Sequence, residues 1–278
     1  MRGLAPNIVT YNNALHALAK AADHAGVLAL WRELRARAAA AGAPAELQPN
    51  VFTFGVLVSA CAKRGRGEWE QALALMELMR AEYGLSPNAA VYSSAIHACS
   101  RAHEWQRALA LLERMRAEGV RPNTITYNAA LAALARGGQW ERALELVERE
   151  MGGAGAAPDA QTYGAVLEAC RRAGAHRAAL LLGRRLWDEG LSAAVLDVVS
   201  YGMLLDAHKA LGDWRGATAL LREMQASASR DGGVAPDAVC YSTVVAACAA
   251  AGQPEAALAT LCEMEAALRA RGLSLIHI

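Results

Sequence analysis

The chain repeats itself from end to end, with a period of 35 to 43 residues. An aromatic followed by a small or amide residue occurs at Tyr11-Asn12, Phe54-Gly55, Tyr92-Ser93, Tyr127-Asn128, Tyr163-Gly164, Tyr201-Gly202 and Tyr241-Ser242. Ahead of these stand Pro6-Asn7, Pro49-Asn50, Pro87-Asn88, Pro122-Asn123, Pro158-Asp159 and Pro236-Asp237, and the remaining copy, Leu196-Asp197, keeps the acid and loses the proline. A period of this length restricts the fold more than any other feature. Each unit is one supersecondary element that cannot bury its apolar face alone, so it is stable only when stacked on its neighbours.

The third copy, 89–123, shows what a unit is made of. Tyr92, Ile96 and Cys99 are spaced by four and then three residues, one stripe of a helix. The stripe returns as Tyr11/Leu15/Leu18, Phe54/Val58/Cys61, Tyr127/Leu131/Leu134, Tyr163/Leu167/Cys170, Tyr201/Leu205/His208 and Tyr241/Val245/Cys248. A short turn leads to a second stripe, Ala108/Leu109/Leu112/Met115, matched by Ala72/Leu73/Met76/Met79 and Ala217/Thr218/Leu221/Met224. Two antiparallel helices closed by Gly-x-x-Pro are expected, with the Asn or Asp after the proline starting the next helix. Trp69, Trp105, Trp140 and Trp214 mark the start of the second helix and are expected to seal one unit against the next rather than to stack on bases. Two stretches, 36–48 and 226–235, lengthen the first and sixth copies and belong in surface loops or overlong helix ends.

Four of the six cysteines share a register with Leu18 and Leu134, which makes them small buried hydrophobes. No Cys-x-x-Cys or His-x-x-x-His spacing supports a metal, and unpaired thiols suit a reducing compartment. His208, at the same register, is expected to be a hydrogen-bonded core histidine. With 54% apolar residues the chain has material for a continuous core. A net charge of +1 gives no field for a polyanion, so any such partner needs a local stripe of cations. No apolar run reaches membrane-spanning length, no leader peptide is visible, and no catalytic constellation or phosphate loop occurs; neither an enzyme activity nor a cofactor is expected.

Pro-Asn/Asp, an aliphatic two residues before the aromatic, Tyr-[Asn/Ser/Gly], and a second helix ending Met-x-x-x-Gly-x-x-Pro together resemble the pentatricopeptide repeat. The resemblance covers residues 1–272 in copies at 8–50, 51–88, 89–123, 124–159, 160–197, 198–237 and 238–272, with 1–7 as the tail of a preceding copy. It implies an all-α fold, a right-handed α-solenoid of helix-turn-helix repeats forming a single domain. It also implies binding to single-stranded RNA, one nucleotide per repeat, each base read by two or three side chains. The implied function is organellar RNA processing, stability, editing or translation, in chloroplast or mitochondrion. Protein partners in such a complex are also implied, with no small-molecule substrate and no membrane.

By the same resemblance the readers are the residue after the aromatic and the Asn or Asp that closes the unit: Asn12 with Asn50, Ser93 with Asn123, Asn128 with Asp159, and Ser242. An Asp offers only acceptors, which suits the ring N–H of U or G; an Asn adds a donor, which suits C or A. Asn12/Asn50 then points to C with U second, Ser93/Asn123 to A, and Asn128/Asp159 to U. Gly55, Gly164 and Gly202 have no side chain to read with. Three glycines at one helical register imply close approach by a neighbour or ligand, or degeneration. The closing Asn or Asp is also a favoured helix N-cap, which explains it without any ligand. The cap does not explain why Asn, Ser or Gly always follows the aromatic.

Lys20, Lys63, Arg101, Arg136 and Arg172 lie eight residues after that position, and Lys209 seven, within about a quadrant of the same helix face. They read as phosphate contacts or as a solvated helix end that suits the dipole. Val9, Phe52, Ile125, Val199 and Val239 are expected to clamp bases apolarly, and Ala90 and Gln161 break that row. The chain starts within a unit, and Leu275 stands where the closing proline belongs. Leu273–Ile278 resembles a translated frame of a transposase-end adaptor, so the sequence reads as a fragment with an artefactual tail. The alternatives from other classes are a protein-binding helical scaffold, and the repeat arm of a larger RNA-processing enzyme.

Overall fold

A computed structural model describes residues 6–40, 44–64, 68–153, 155–191, 196–228 and 233–270. The expectations for residues 1–5 and for Leu273–Ile278 lie outside them, as do 41–43 and 229–232 of the two lengthened stretches. Among the described residues every regular element is helical, as the stripes predict. Four first helices are α1 (Ile8–Lys20), α3 (Val51–Arg64), α5 (Ala89–Arg101) and α7 (Thr124–Arg136). Their second helices are α2 (His24–Ala39), α4 (Trp69–Ala81), α6 (Trp105–Ala117) and α8 (Trp140–Glu145). Next come α9 (Ala160–Ala173), α10 (His176–Asp188), α11 (Val198–Ala210), α12 (Trp214–Ala228), α13 (Ala238–Ala250) and α14 (Pro254–Ala270). A 3-10 turn at Ala45–Leu47 and a π-helical turn at Leu146–Met151 complete the set.

The chain divides into two units, Met1–Gly137 with Glu150–Ala156, and Gly138–Arg149 with Ala157–Ile278. In the first, α1, α3, α5 and α7 pack side by side in that order, and α2, α4 and α6 each lie against their own first helix and the next. In the second, α9, α11 and α13 pack side by side; α10 lies between α9 and α11, α12 between α11 and α13, and α14 against α13. Both units are therefore two layers of helices with the first helices sharing one layer.

The Asn or Asp closing each repeat begins every first helix. Asn7, Asn50, Asn88, Asn123, Asp159, Asp197 and Asp237 each accept, through Oδ1, the backbone N–H of the third helical residue at 2.8–3.1 Å. Asp197 does so without the proline, so the cap and not the Pro is what the fold keeps. Second helices stop in a reverse turn: Val120 N–H reaches back to Met115 O (3.0 Å) around Gly119, whose φ of +75° suits a residue with no Cβ.

The aromatic of each copy is core. Phe54, Tyr92 and Tyr127 are wholly buried, Tyr11, Tyr201 and Tyr241 nearly so, and Tyr163 is half-buried. Truncating a buried aromatic to Ala costs roughly 3–5 kcal/mol. Three of the tyrosine hydroxyls, those of Tyr92, Tyr127 and Tyr241, are met by a staple between repeats that the sequence pattern does not reveal. The side chain following the buried Met reaches the next tyrosine and then a glutamate: Arg80 donates to Tyr92 (2.8 Å) and pairs with Glu118, Arg116 donates to Tyr127 (3.1 Å) and pairs with Glu150, and Gln225 donates to Tyr241 (3.1 Å) and Glu263 (3.2 Å).

The expected sealing role of the tryptophans is clearest at Trp105, on which Gly137 of the next helix end lies so closely that a Cβ there would meet its ring at 2.6 Å. Trp69, Trp105, Trp140 and Trp214 each open their helix and are half-buried. Cys61, Cys99, Cys170, Cys240 and Cys248 are buried, and burial pushes the Cys99 and Cys170 thiols up to about 11. The His208 ring hydrogen-bonds Asp213 at 2.9 Å, as a structural histidine would. The lengthened copies end in long second helices, α2 of 16 residues and α12 of 15, against 13 in α4, α6 and α10. No grouping among the described residues could hold a metal, and no helix among them is long and apolar enough to cross a membrane.

Candidate nucleic-acid-binding face

At Asn50 and Asn123 capping uses the side-chain oxygen and leaves the amide nitrogen. Asn50 Oδ1 accepts from Thr53 N (3.0 Å) and from Asn12 Nδ2 (3.3 Å), and Thr53 Oγ1, whose proton goes to Asn12, stands 3.1 Å away. Its oxygen is saturated, and its amide nitrogen makes no hydrogen bond among the described residues. Because only an oxygen can accept a backbone N–H, the amide is oriented without ambiguity. Asn123 repeats the arrangement, with Oδ1 on Thr126 N and Thr126 Oγ1, both at 2.9 Å. Asn50 and Asn123 are exposed, so each turns an NH₂ donor to solvent. An Asp in the same cap, such as the exposed Asp197 with Oδ1 on Ser200 N (2.8 Å), keeps a second carboxylate oxygen. Cap and reader are thus compatible roles for the two halves of one side chain.

The residues after the aromatic lie behind this row. Asn12 is 6% exposed, accepts the hydroxyl of Thr53 at 2.7 Å and leans on Asn50, so these two expected readers are brought together. Ser93 donates to Ala89 O (2.8 Å) and lies 2.7 Å from Thr126 Oγ1, the hydroxyl that also bonds Asn123. Asn128, in the first unit, is likewise 6% exposed; Asp159, in the second, is exposed and caps its helix by accepting the Thr162 N–H (2.8 Å). Ser242 is exposed and bonds Ala238 O (2.7 Å). The closing residue therefore offers the outward atom and the residue after the aromatic sets its surroundings.

The glycines are not crowded by the protein. A Cβ on Gly55 would meet Val91 at 3.9 Å, one on Gly164 would meet Ser200 Oγ at 3.7 Å, and one on Gly202 would meet nothing within 4 Å. Close approach by a neighbouring side chain is thereby removed as the reason for these glycines.

The aliphatic row stands out of the surface. Val9, Phe52, Ile125, Val199 and Val239 are 55–70% exposed, although each begins a helix whose other large apolar residues turn inward. Exposed apolar residues recurring at one register of the first helices carry a hydration cost that folding does not recover. The basic row is less uniform than its spacing suggests. Lys20 and Arg101 are exposed; Lys63 reaches Ala19 O on the preceding first helix (3.3 Å), and Arg136 reaches Ser100 on its predecessor (2.7 Å). Arg172 is paired with Glu168 (2.6 Å), and Lys209 with Asp206 (2.7 Å).

The helical repeats have counterparts among known proteins. A family model described as the pentacotripeptide-repeat region of PRORP matches residues 9–180, and a model described as the PPR repeat matches 199–227 and 239–267. Over 95 residues the chain is 32% identical to the pentatricopeptide repeat-containing protein 10, chloroplastic, of Zea mays, a match spanning 34% of this chain and 11% of that protein. The crystal structure of the pentatricopeptide repeat protein PPR10 in complex with an 18-nt psaJ RNA element is similar at a TM-score of 0.54 and 26% identity, covering 99% of this chain and 40% of that one. The PPR domain of Arabidopsis thaliana protein-only RNase P 1, in complex with tRNA, shares the fold at a TM-score of 0.59 and 18% identity, over 74% of this chain and all of that one.

Proposed function

The chain belongs to the pentatricopeptide repeat family, and from that membership we infer that its first-helix face binds single-stranded RNA, one nucleotide per repeat. The observation that carries the reading is the orientation of Asn50 and Asn123. Each spends its oxygen on the helix cap and turns its NH₂ outward beside an exposed apolar side chain, Phe52 or Ile125. An aliphatic or aromatic surface next to a fixed donor holds a base by its face and tests the polar edge. The bases are C, with U second, at Asn12/Asn50, and A at Ser93/Asn123. Backbone contacts come from Lys20, Lys63 and Arg101 before Arg172, whose charge is already engaged by Glu168.

The fold similarity to the PPR10 complex with psaJ RNA supports the same reading, as does the relation to a chloroplastic protein. In that role the repeats bind rather than catalyse, and they act in the processing, stability, editing or translation of organellar transcripts.

Binding of the full chain to oligoribonucleotides varied one position at a time tests the assignment. Asn50→Asp keeps the cap oxygen and exchanges the outward donor for an acceptor, so preference at one nucleotide moves from C to U with the melting temperature nearly unchanged. A well-made base contact discriminates by about 1–3 kcal/mol, by analogy with duplex readout. Asn50→Ala removes both halves, losing the preference and about 1 kcal/mol of cap stability. An unaltered base profile in Asn50→Asp would leave Asn50 a cap and nothing more.

A further inference from the structure

The third residue of each first helix forms the floor beneath the side chain that closes the repeat before it, to which it donates its backbone N–H. In two repeats of the first unit that floor is a buried threonine hydroxyl already engaged by the residue after the aromatic: Thr53 with Asn12 at 2.7 Å and Thr126 with Ser93 at 2.7 Å. In the second unit the corresponding residue is Ser200, 1% exposed, and opposite it stands Gly164. The Ser200 hydroxyl makes no hydrogen bond among the described residues. It lies 3.7 Å from where a Cβ on Gly164 would be, and beyond the glycine's chain neighbours and own helix backbone no other atom comes within 4 Å of that point. Asp197 caps the helix with Oδ1 on Ser200 N and keeps its second oxygen, while Val199 stands 63% exposed beside it.

A buried hydroxyl without a partner is costly to a folded protein and calls for an explanation. Here it coincides with an absent side chain, a carboxylate oxygen and an exposed aliphatic. We propose that Ser200 is a specificity-determining residue which reads the base at the site closed by Asp197, and that this site selects guanine. The proposal rests on the reading of the first-helix face as an RNA surface. The Asp197 carboxylate accepts from a ring N–H, which U and G possess and C and A lack. The place vacated at Gly164 admits the larger purine, and guanine presents its exocyclic amine next to its ring N–H. The Ser200 oxygen accepts from that amine. Gly55, floored by Val91, and Gly202, with Cys240 as the third residue of its following helix, offer no comparable hydroxyl, so their repeats discriminate less.

The test uses the full chain and oligoribonucleotides carrying each of the four bases at every position in turn. Asp197→Asn identifies the nucleotide, because its preference moves from G toward A or C. At that nucleotide Ser200→Ala is expected to lower the preference for G over U about tenfold, while the melting temperature of the free protein stays level or rises, since no internal hydrogen bond is lost. Ser200→Thr keeps the hydroxyl, as Thr53 and Thr126 do, and keeps the preference. Gly164→Asn supplies a carboxamide for Ser200 as Asn12 does for Thr53, raises the melting temperature and turns the site toward a pyrimidine.

An unchanged G preference in Ser200→Ala, with Asp197→Asn still active at the same nucleotide, overturns this inference alone. A lowered melting temperature with unchanged preference does so too, and makes Ser200 a structural hydroxyl. If neither Asp197→Asn nor Asn50→Asp alters any base preference, or no strand binds, the underlying RNA reading falls with it.

Discussion

Glu118 sits where three partners converge. Arg80 and Arg114 pair with it, and the Tyr92 hydroxyl donates to it at 2.7 Å. The bond from Arg80 is the largest cause holding its carboxyl down at about 2, while burial, and then the bond to Glu118, push the Tyr92 phenol up to about 12. The folded carboxyl titrates below the unfolded one, so the contribution is complete above about pH 4.5 and is lost as pH falls through about 2. Glu118→Gln should therefore melt lower than the parent at pH 7, and the two curves should converge as melts are repeated down to pH 2.5. Parallel curves over that range would remove Glu118 from the acid response. The staple it belongs to was not legible in the sequence, because Arg80, Tyr92 and Glu118 are separated by 12 and 26 residues and meet only through stacking. The caps were legible: Asn or Asp after Pro announces a helix start by local chemistry alone. What stayed hidden was that Asn50 and Asn123 divide their two polar atoms between helix and solvent, since that depends on the Thr hydroxyls beneath them.

At the scale of the helix, the second helix of the fourth repeat departs from the rest. After Trp140–Glu145 it widens into a π-helical turn over Leu146–Met151. The cause can be counted in the sequence: Ala72 to Met79, Ala108 to Met115 and Ala217 to Met224 span seven residues, whereas Ala143 to Met151 spans eight. A π turn accommodates one inserted residue without turning the rest of the helix off its face, and Met151 accordingly ends fully buried. Deleting Arg149, an exposed residue that forms a surface ion pair with Glu145, should restore the seven-residue spacing and a regular α-helix. The variant is expected to melt within a few degrees of the parent. Deleting Glu113 from α6 should destabilise it severely, because Met115 would leave the core. Equal losses in the two deletions would show the insertion to be required. Helix existence, order and inward stripe thus followed from periodicity, and even the irregular element had its signal in a spacing. Its form as a π turn did not, since an insertion can equally be looped out.

For the molecule as a whole, a net charge of +1 means that attraction to a polyanion has to come from where the cations stand rather than from their sum. The first-helix ends supply them, but neighbours have already drawn on the row unevenly. Lys20 and Arg101 are exposed, Lys63 reaches a backbone carbonyl, and Arg172 is paired with Glu168. Binding to single strands releases condensed counterions, so log affinity falls with log salt by roughly 0.7 per neutralised phosphate. Replacing Lys20, Lys63 and Arg101 together with Ala should lower that slope by about 2, on the same scale. Arg172→Ala alone should change it far less, because breaking its pair with Glu168 offsets what the phosphate returns. Phosphates carry no base information, so the order of preference at Asn50 and Asn123 should survive the triple replacement while affinity drops across every strand. A slope equal to the parent's in the triple variant would take the cation row out of the binding surface. A scrambled base preference with intact slope would place these residues against bases instead of the backbone.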